Sequence, residues 1–145
     1  MPGIMQELIS ITSPTMSERF SRSGVAASLT SVQMNVYETE ATGSKLLVQG
    51  IPQPFGGSLV ALSAVLSAAA GAGSLTLVAT INGVATNLQV VITTLVTGYT
   101  VQEYGSANFQ SGDRIGVQVT TSAGWTGTTS DLLVELYFVF VDARF

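Results

Sequence analysis

From about residue 31 the chain alternates apolar and polar positions with a period of two. Val32, Met34 and Val36 alternate with Gln33, Asn35 and Tyr37. Leu75, Leu77, Ala79 and Ile81 do so with Thr76, Val78 and Thr80; Leu88, Val90 and Ile92 with Asn87, Gln89 and Val91; Ile115, Val117 and Val119 with Gly116, Gln118 and Thr120. Successive side chains of an extended chain point to opposite sides, so each run predicts a strand with one face on a core. Val60, Leu62, Ala64 and Leu66 alternate in the same way, although Ala and Leu also suit a helix. Asn82-Gly83 between two such runs is a strong hairpin signal. Ser111-Gly112-Asp113, Gly56-Gly57 after Pro52 and Pro54, Ala72-Gly73 and Gly124 to Gly127 mark further turns and loops. The pattern predicts about seven or eight short strands, the spacing of an antiparallel sandwich or jelly roll.

The last run differs. Leu132, Val134, Leu136, Phe138 and Phe140 form one apolar face, and Leu133, Tyr137, Val139 and Val141 make the other nearly as apolar, interrupted by Glu135. A strand apolar on both sides needs cover on both sides. Its outer face therefore faces another subunit or is capped by the N-terminal segment of the same chain. That segment, residues 1–30, has a different texture: Pro2, Gly3, Pro14 and Gly24 among scattered apolar residues. Ile4, Leu8 and Ile11 sit at helical spacing, and Ser17 to Phe20 could open another turn. It reads as an extended or partly helical arm that orders on a partner. The expected fold is an all-β, jelly-roll-like antiparallel β-sandwich over residues 31–145 with an arm over residues 1–30. Expected interface residues are Ile4, Leu8 and Phe20 on the arm and Leu133, Tyr137 and Val139 on the last strand.

Composition sharpens this picture. Only 10% of the 145 residues are charged and 46% are hydrophobic, against about 25% charged in an ordinary globular chain. A surface so poor in charge predicts apolar patches that other subunits cover; the alternative is a monomer coated in Ser, Thr, Asn and Gln. With one lysine, four arginines and a net charge of −4, there is no basic stripe to neutralise phosphates or to seat on anionic lipid. The stretch from Leu59 to Ala70 is too short and too interrupted for a membrane helix. No basic start precedes an apolar run of signal-peptide length, so synthesis in the cytoplasm without export is expected.

Candidate chemistry is sparse. The chain has no histidine and no cysteine, which removes the commonest general base, the Ser-His-Asp arrangement, thiolate chemistry and the usual zinc ligands. Lys45 stands alone in a Gly-Ser-Lys context, a poor setting for an activated serine. Of nine carboxylates, Glu38 and Glu40 lie on the same side of a strand, where a glycosidase pair or a weak calcium site would need more than a solvated strand end supplies. Asp113 in its Ser-Gly-Asp-Arg turn is expected to hold local backbone N–H groups rather than calcium. Gly71-Ala72-Gly73 lacks the following Lys-Ser/Thr and helix of a phosphate loop. Trp125, in a Ser-Ala-Gly-Trp-Thr-Gly loop, either anchors a partner or sugar or folds back over the end of the sandwich. The reading is of a protein that is not an enzyme and holds no cofactor or metal.

Four segments carry a resemblance: Pro54 to Ser63, Leu75 to Val84, Phe109 to Val117 and Asp131 to Tyr137. In this order, with their Gly-x-Leu strand, Asn-Gly hairpin and aromatic-x-x-Gly-Asp-x-Ile-x-Val turn and strand, they resemble the C-terminal jelly-roll domains of tailed-bacteriophage structural proteins. The resemblance covers about residues 46–142 and brings no catalytic residues. It implies a virion protein, often a homotrimer, of the head decoration, head fibre or tail tip type. A short chain without shaft repeats fits a capsid decoration or head-spike protein whose arm binds the major capsid protein or another virion protein. The alternative is a receptor-binding module of a tail fibre or baseplate tip, holding a host glycan or protein near Trp125 and Tyr99 to Tyr104. A subunit of an extracellular filament is a third reading.

Overall fold

The computed structural model describes residues 15–36 and 50–141. Within them the chain forms eleven strands and no helix: β1 (Thr15–Arg22), β2 (Val32–Gln33), β3 (Asn35–Val36), β4 (Ile51–Pro52), β5 (Gly57–Leu66), β6 (Leu75–Ile81), β7 (Val84–Ile92), β8 (Thr97–Val101), β9 (Asn108–Phe109), β10 (Arg114–Thr121) and β11 (Leu132–Phe140). One sheet runs β3-β1-β11-β5-β8, with β9 beside β5; the other runs β2-β10-β6-β7, with β4 beside β10. All pairings are antiparallel. The first strand pairs with the last, β2 with β10, β5 with β8, and β6 with β7 as the innermost hairpin. A long two-stranded ribbon rolled up in this nested way is a jelly roll, as the alternation predicts.

The inner faces of both sheets supply one core. Phe20, Leu62, Leu77, Ile115, Val117, Val134 and Leu136 are fully buried, each such aliphatic or aromatic side chain contributing roughly 1.5–3 kcal/mol by leaving water. At one end Phe109, Phe138, Phe140 and Phe55 stack edge to face, with successive centroids 5.8, 5.4 and 5.4 Å apart. Asn82 and Gly83 take φ of 53° and 80° in the β6–β7 turn, the left-handed conformations of a type I′ hairpin.

Three local readings change. The first concerns the arm. Residues 1–14 lie outside the described structure, and from Thr15 the chain is sandwich rather than arm or helical turn. β1 pairs with β11 over its whole length, from Thr15↔Val139 to Arg22↔Leu132. Its period-two pattern, Met16, Glu18 and Phe20, is masked by a glutamate at an inward position. The second concerns the run Val32 to Val36, which is not one strand: β2 belongs to one sheet and β3 to the other, and the chain crosses between them at buried Met34. The third concerns β5, whose helix-or-strand ambiguity resolves as strand. A bulge at Val60 makes Leu59 the inward residue, since Tyr137 pairs with Ala61 but Phe138 with Leu59. Glu38, Glu40 and Lys45 lie outside the described residues.

Candidate functional site

The outer face of the β3-β1-β11-β5-β8 sheet follows from register. Leu133 pairs with Val65, which pairs with Thr97; Tyr137 pairs with Ala61, which pairs with Val101; between these rows Glu135 pairs with Ser63, which pairs with Tyr99. Leu133 is 37% exposed, and Tyr137 and Val139 are half-buried. The three expected interface residues of the last strand therefore lie together on one outward face. β1 lies beside β11 in the plane of the sheet and does not cap that face. The single charge interrupting it, Glu135, is matched: Arg19 Nε lies 3.5 Å from Oε1 and the Ser17 hydroxyl donates to Oε2 at 2.8 Å.

Two other expectations are corrected. Phe20 is no contact residue, because it points inward between the sheets opposite Val134 and is fully buried. Ile4 and Leu8 lie outside the described residues. Trp125 is no exposed anchor: it is 2% exposed and its Nε1–H donates to the Val25 carbonyl at 3.0 Å. Glycine makes room for it. A Cβ on Gly127 would come within 2.5 Å of the indole ring, and one on Gly73, at φ +85°, within 2.4 Å of the Trp125 backbone. Thr126 clips the two loops together, its hydroxyl oxygen accepting the Gly71 and Ala72 N–H groups at 2.9 Å each. Tyr104 lies by the opposite end of β5, where the Gly105 N–H donates to the Ser58 hydroxyl, so Trp125 and Tyr104 do not form one loop cluster.

Turn chemistry follows expectation at Asp113. Its Oδ2 accepts the Gln110 N–H at 2.8 Å and its Oδ1 the Asn82 amide at 3.0 Å. Those bonds, the backbone one first, hold its carboxyl below the usual value. Glu18 behaves oppositely: burial at its inward position pushes its carboxyl up, opposed in part by a hydrogen bond with the buried Gln53 side chain.

The most extensive surface feature was missed by the strand-by-strand reading. No residue from 46 to 102 is charged, and this stretch builds β5, β6, β7 and β8. Among the described residues β2 and β3 each form one edge of their sheet, and β7 and β8 form the other edges. They lie against each other across the sandwich, where Gly98 leaves space for Val90 and Ile92. The flank they form is apolar: of the twelve exposed large hydrophobic residues among those described, seven are Val84, Val91, Leu95, Val96, Tyr99, Val101 and Tyr104. Neither edge strand contains a charge or a proline, the usual devices that keep an edge from pairing. The signal was legible as the gap between Lys45 and Glu103.

Neither a family model nor a curated protein matches this chain. Among solved structures it is similar to the globular domain of zebrafish complement 1qA protein, at 14% identity and a TM-score of 0.42, over 90% of this chain and 100% of that one. That distance brings no function with it.

Proposed function

We propose that this protein is a non-enzymatic structural subunit that works by contact with copies of itself and with a larger scaffold. The observation that carries the reading is the uncharged flank of β7 and β8, which exposes Tyr99 at 80% and Val101 at 70% beside two unprotected sheet edges. A flank of this kind is costly to leave in water and invites association. The outer face bearing Leu133, Tyr137 and Val139 continues this flank, since Tyr99 and Val101 stand in register with Glu135 and Tyr137 through β5, and its one carboxylate is already paired. Copies that bury this shared surface around a rotation axis form a closed ring. A homotrimer is the number that the resemblance supplies.

The same resemblance supports the finer proposal of a bacteriophage capsid decoration or head-spike protein, made in the host cytoplasm and residing on the virion. Attachment through the N-terminal arm then falls to residues 1–14, since β1 belongs to the sandwich. Deleting residues 1–14 should leave the native mass of the purified protein unchanged and abolish its binding to capsids. If the truncated chain still decorates capsids, the arm is not the attachment. Immunogold labelling of virions distinguishes a head location from a tail tip. The receptor-binding alternative loses Trp125 as its anchor, because the indole is buried and its N–H is satisfied.

A further inference from the structure

A cleft of about 340 Å³ opens where β1 and β5 end and β11 begins, at the small end of the range for ligand sites. Its polar lining is Arg22, Asp131, Ser21, Ser23 and Ser67; Leu133 is among its apolar residues. Arg22 is the unusual member. It follows Phe20 on the inward side of β1, opposite Leu132, where an apolar residue would continue the core. Its Nε is shielded from solvent and has no hydrogen-bond partner among the described residues, and an unmatched buried N–H is costly. Asp131 makes no salt bridge with it: among the described residues the ion pair is Arg19 with Glu135. Asp131 instead accepts the Gly24 N–H through Oδ1 at 3.2 Å. The Ser67 oxygen accepts the Asp131 N–H at 2.8 Å, so its own hydroxyl hydrogen remains to be donated.

We infer that this cleft binds one neutral hexose unit of a carbohydrate. A guanidinium offers donors in a fixed fork, a carboxylate offers acceptors, and serine hydroxyls do both. Together they match a ring carrying hydroxyls in both roles, while Leu133 and Val65 face its C–H groups. The formal charges of Arg22 and Asp131 cancel, so the site favours a neutral sugar over an anion. Leu133 and Val65 lie at the end of the outer face, so the inference requires that self-assembly leave that end uncovered.

The test is a titration of the isotopically labelled full chain with glucose, galactose, mannose, N-acetylglucosamine, glucuronate and acetate, followed by amide chemical shifts. A neutral hexose should shift the amides of residues 21–23, 67 and 131–133 saturably, with a dissociation constant on the order of 1 mM. Arg22→Gln should weaken that binding about tenfold or more, equivalent to ~1.4 kcal/mol. Ser23→Ala, a milder change outside the core, should weaken it by less; the native mass should stay unchanged in both. Shifts from acetate and glucuronate alone would make the cleft an anion site and overturn the inference. So would full affinity in both variants, or no saturable shift with any neutral sugar.

Discussion

The two halves of this sandwich share one core and differ on the outside. Strands β5 to β8 come from a stretch without a single charge, whereas β1, β10, β11 and the turns beside them carry Glu18, Arg19, Arg22, Asp113, Arg114, Asp131 and Glu135. Both halves supply fully apolar core residues, Leu62, Leu77 and Ile92 in one and Phe20, Val117 and Leu136 in the other, and only β1 adds charged inward positions at Glu18 and Arg22. Folding therefore makes the same demand of each half, and the charge difference concerns what each half meets outside. On the charged side, carboxylates are tied into turns and pairs, as with Asp113 at the Asn82 hairpin and Glu135 with Arg19 and Ser17. On the uncharged side one edge strand of each sheet, β7 and β8, carries neither charge nor proline.

The largest expected effects test the shared core. Leu77→Ala in the uncharged half should cost about 2–5 kcal/mol, and Phe138→Ala in the charged half about 3–5. Both should be lost in one cooperative urea transition; two separate transitions would mean the halves are independent units. Trp125→Ala belongs to the same class, at about 3–5 kcal/mol, and should leave ligand and partner binding intact once the fold is stabilised. Gly73→Ala comes next, destabilising by more than about 1 kcal/mol because its φ of +85° and its approach to the Trp125 backbone exclude a Cβ.

Charges placed on the surface sharpen the contrast directly. Tyr99→Asp with Val101→Lys should dissociate the oligomer while changing monomer stability by less than about 0.5 kcal/mol each, as read by light scattering and urea unfolding. Gln110→Lys, an exposed change on the charged side, should leave the mass unaltered. The smallest effects are in pH dependence. The Glu18 carboxyl is raised above 4.5, so its contribution to stability is full below that value and is lost as pH rises through its folded value. Glu18→Gln should accordingly raise the melting temperature at pH 7 and leave it unchanged in acid. Asp113, lowered below 3.8, contributes in the opposite sense: its stabilisation is present above 3.8 and is lost as pH falls through the folded value, so Asp113→Ala should flatten the acid limb.

Much of the fold was legible because burial on one face imposes alternation. β6, β7, β10 and β11 sit where the period-two runs placed them, and Asn82-Gly83 makes the turn its dihedral preference requires. β1 was not legible, since Glu18 and Arg22 occupy inward positions and break the alternation that would have revealed a strand. The Val60 bulge shifts an inward face by one residue without changing its apolar character. Trp125 could not be placed from sequence because a loop aromatic reads alike whether it faces water or a carbonyl such as that of Val25. The cleft at Arg22 is assembled from three strand ends distant in the chain, so no local pattern announces it.

The central claim is that the uncharged flank is covered by another copy. Its most direct test is the native mass of the full chain by light scattering over a dilution series. The account predicts a mass of three times 15.0 kDa that persists on dilution and falls to a single chain in the Tyr99→Asp, Val101→Lys variant. A stable mass of 15.0 kDa at every concentration would contradict it and leave the flank as surface that a monomer tolerates.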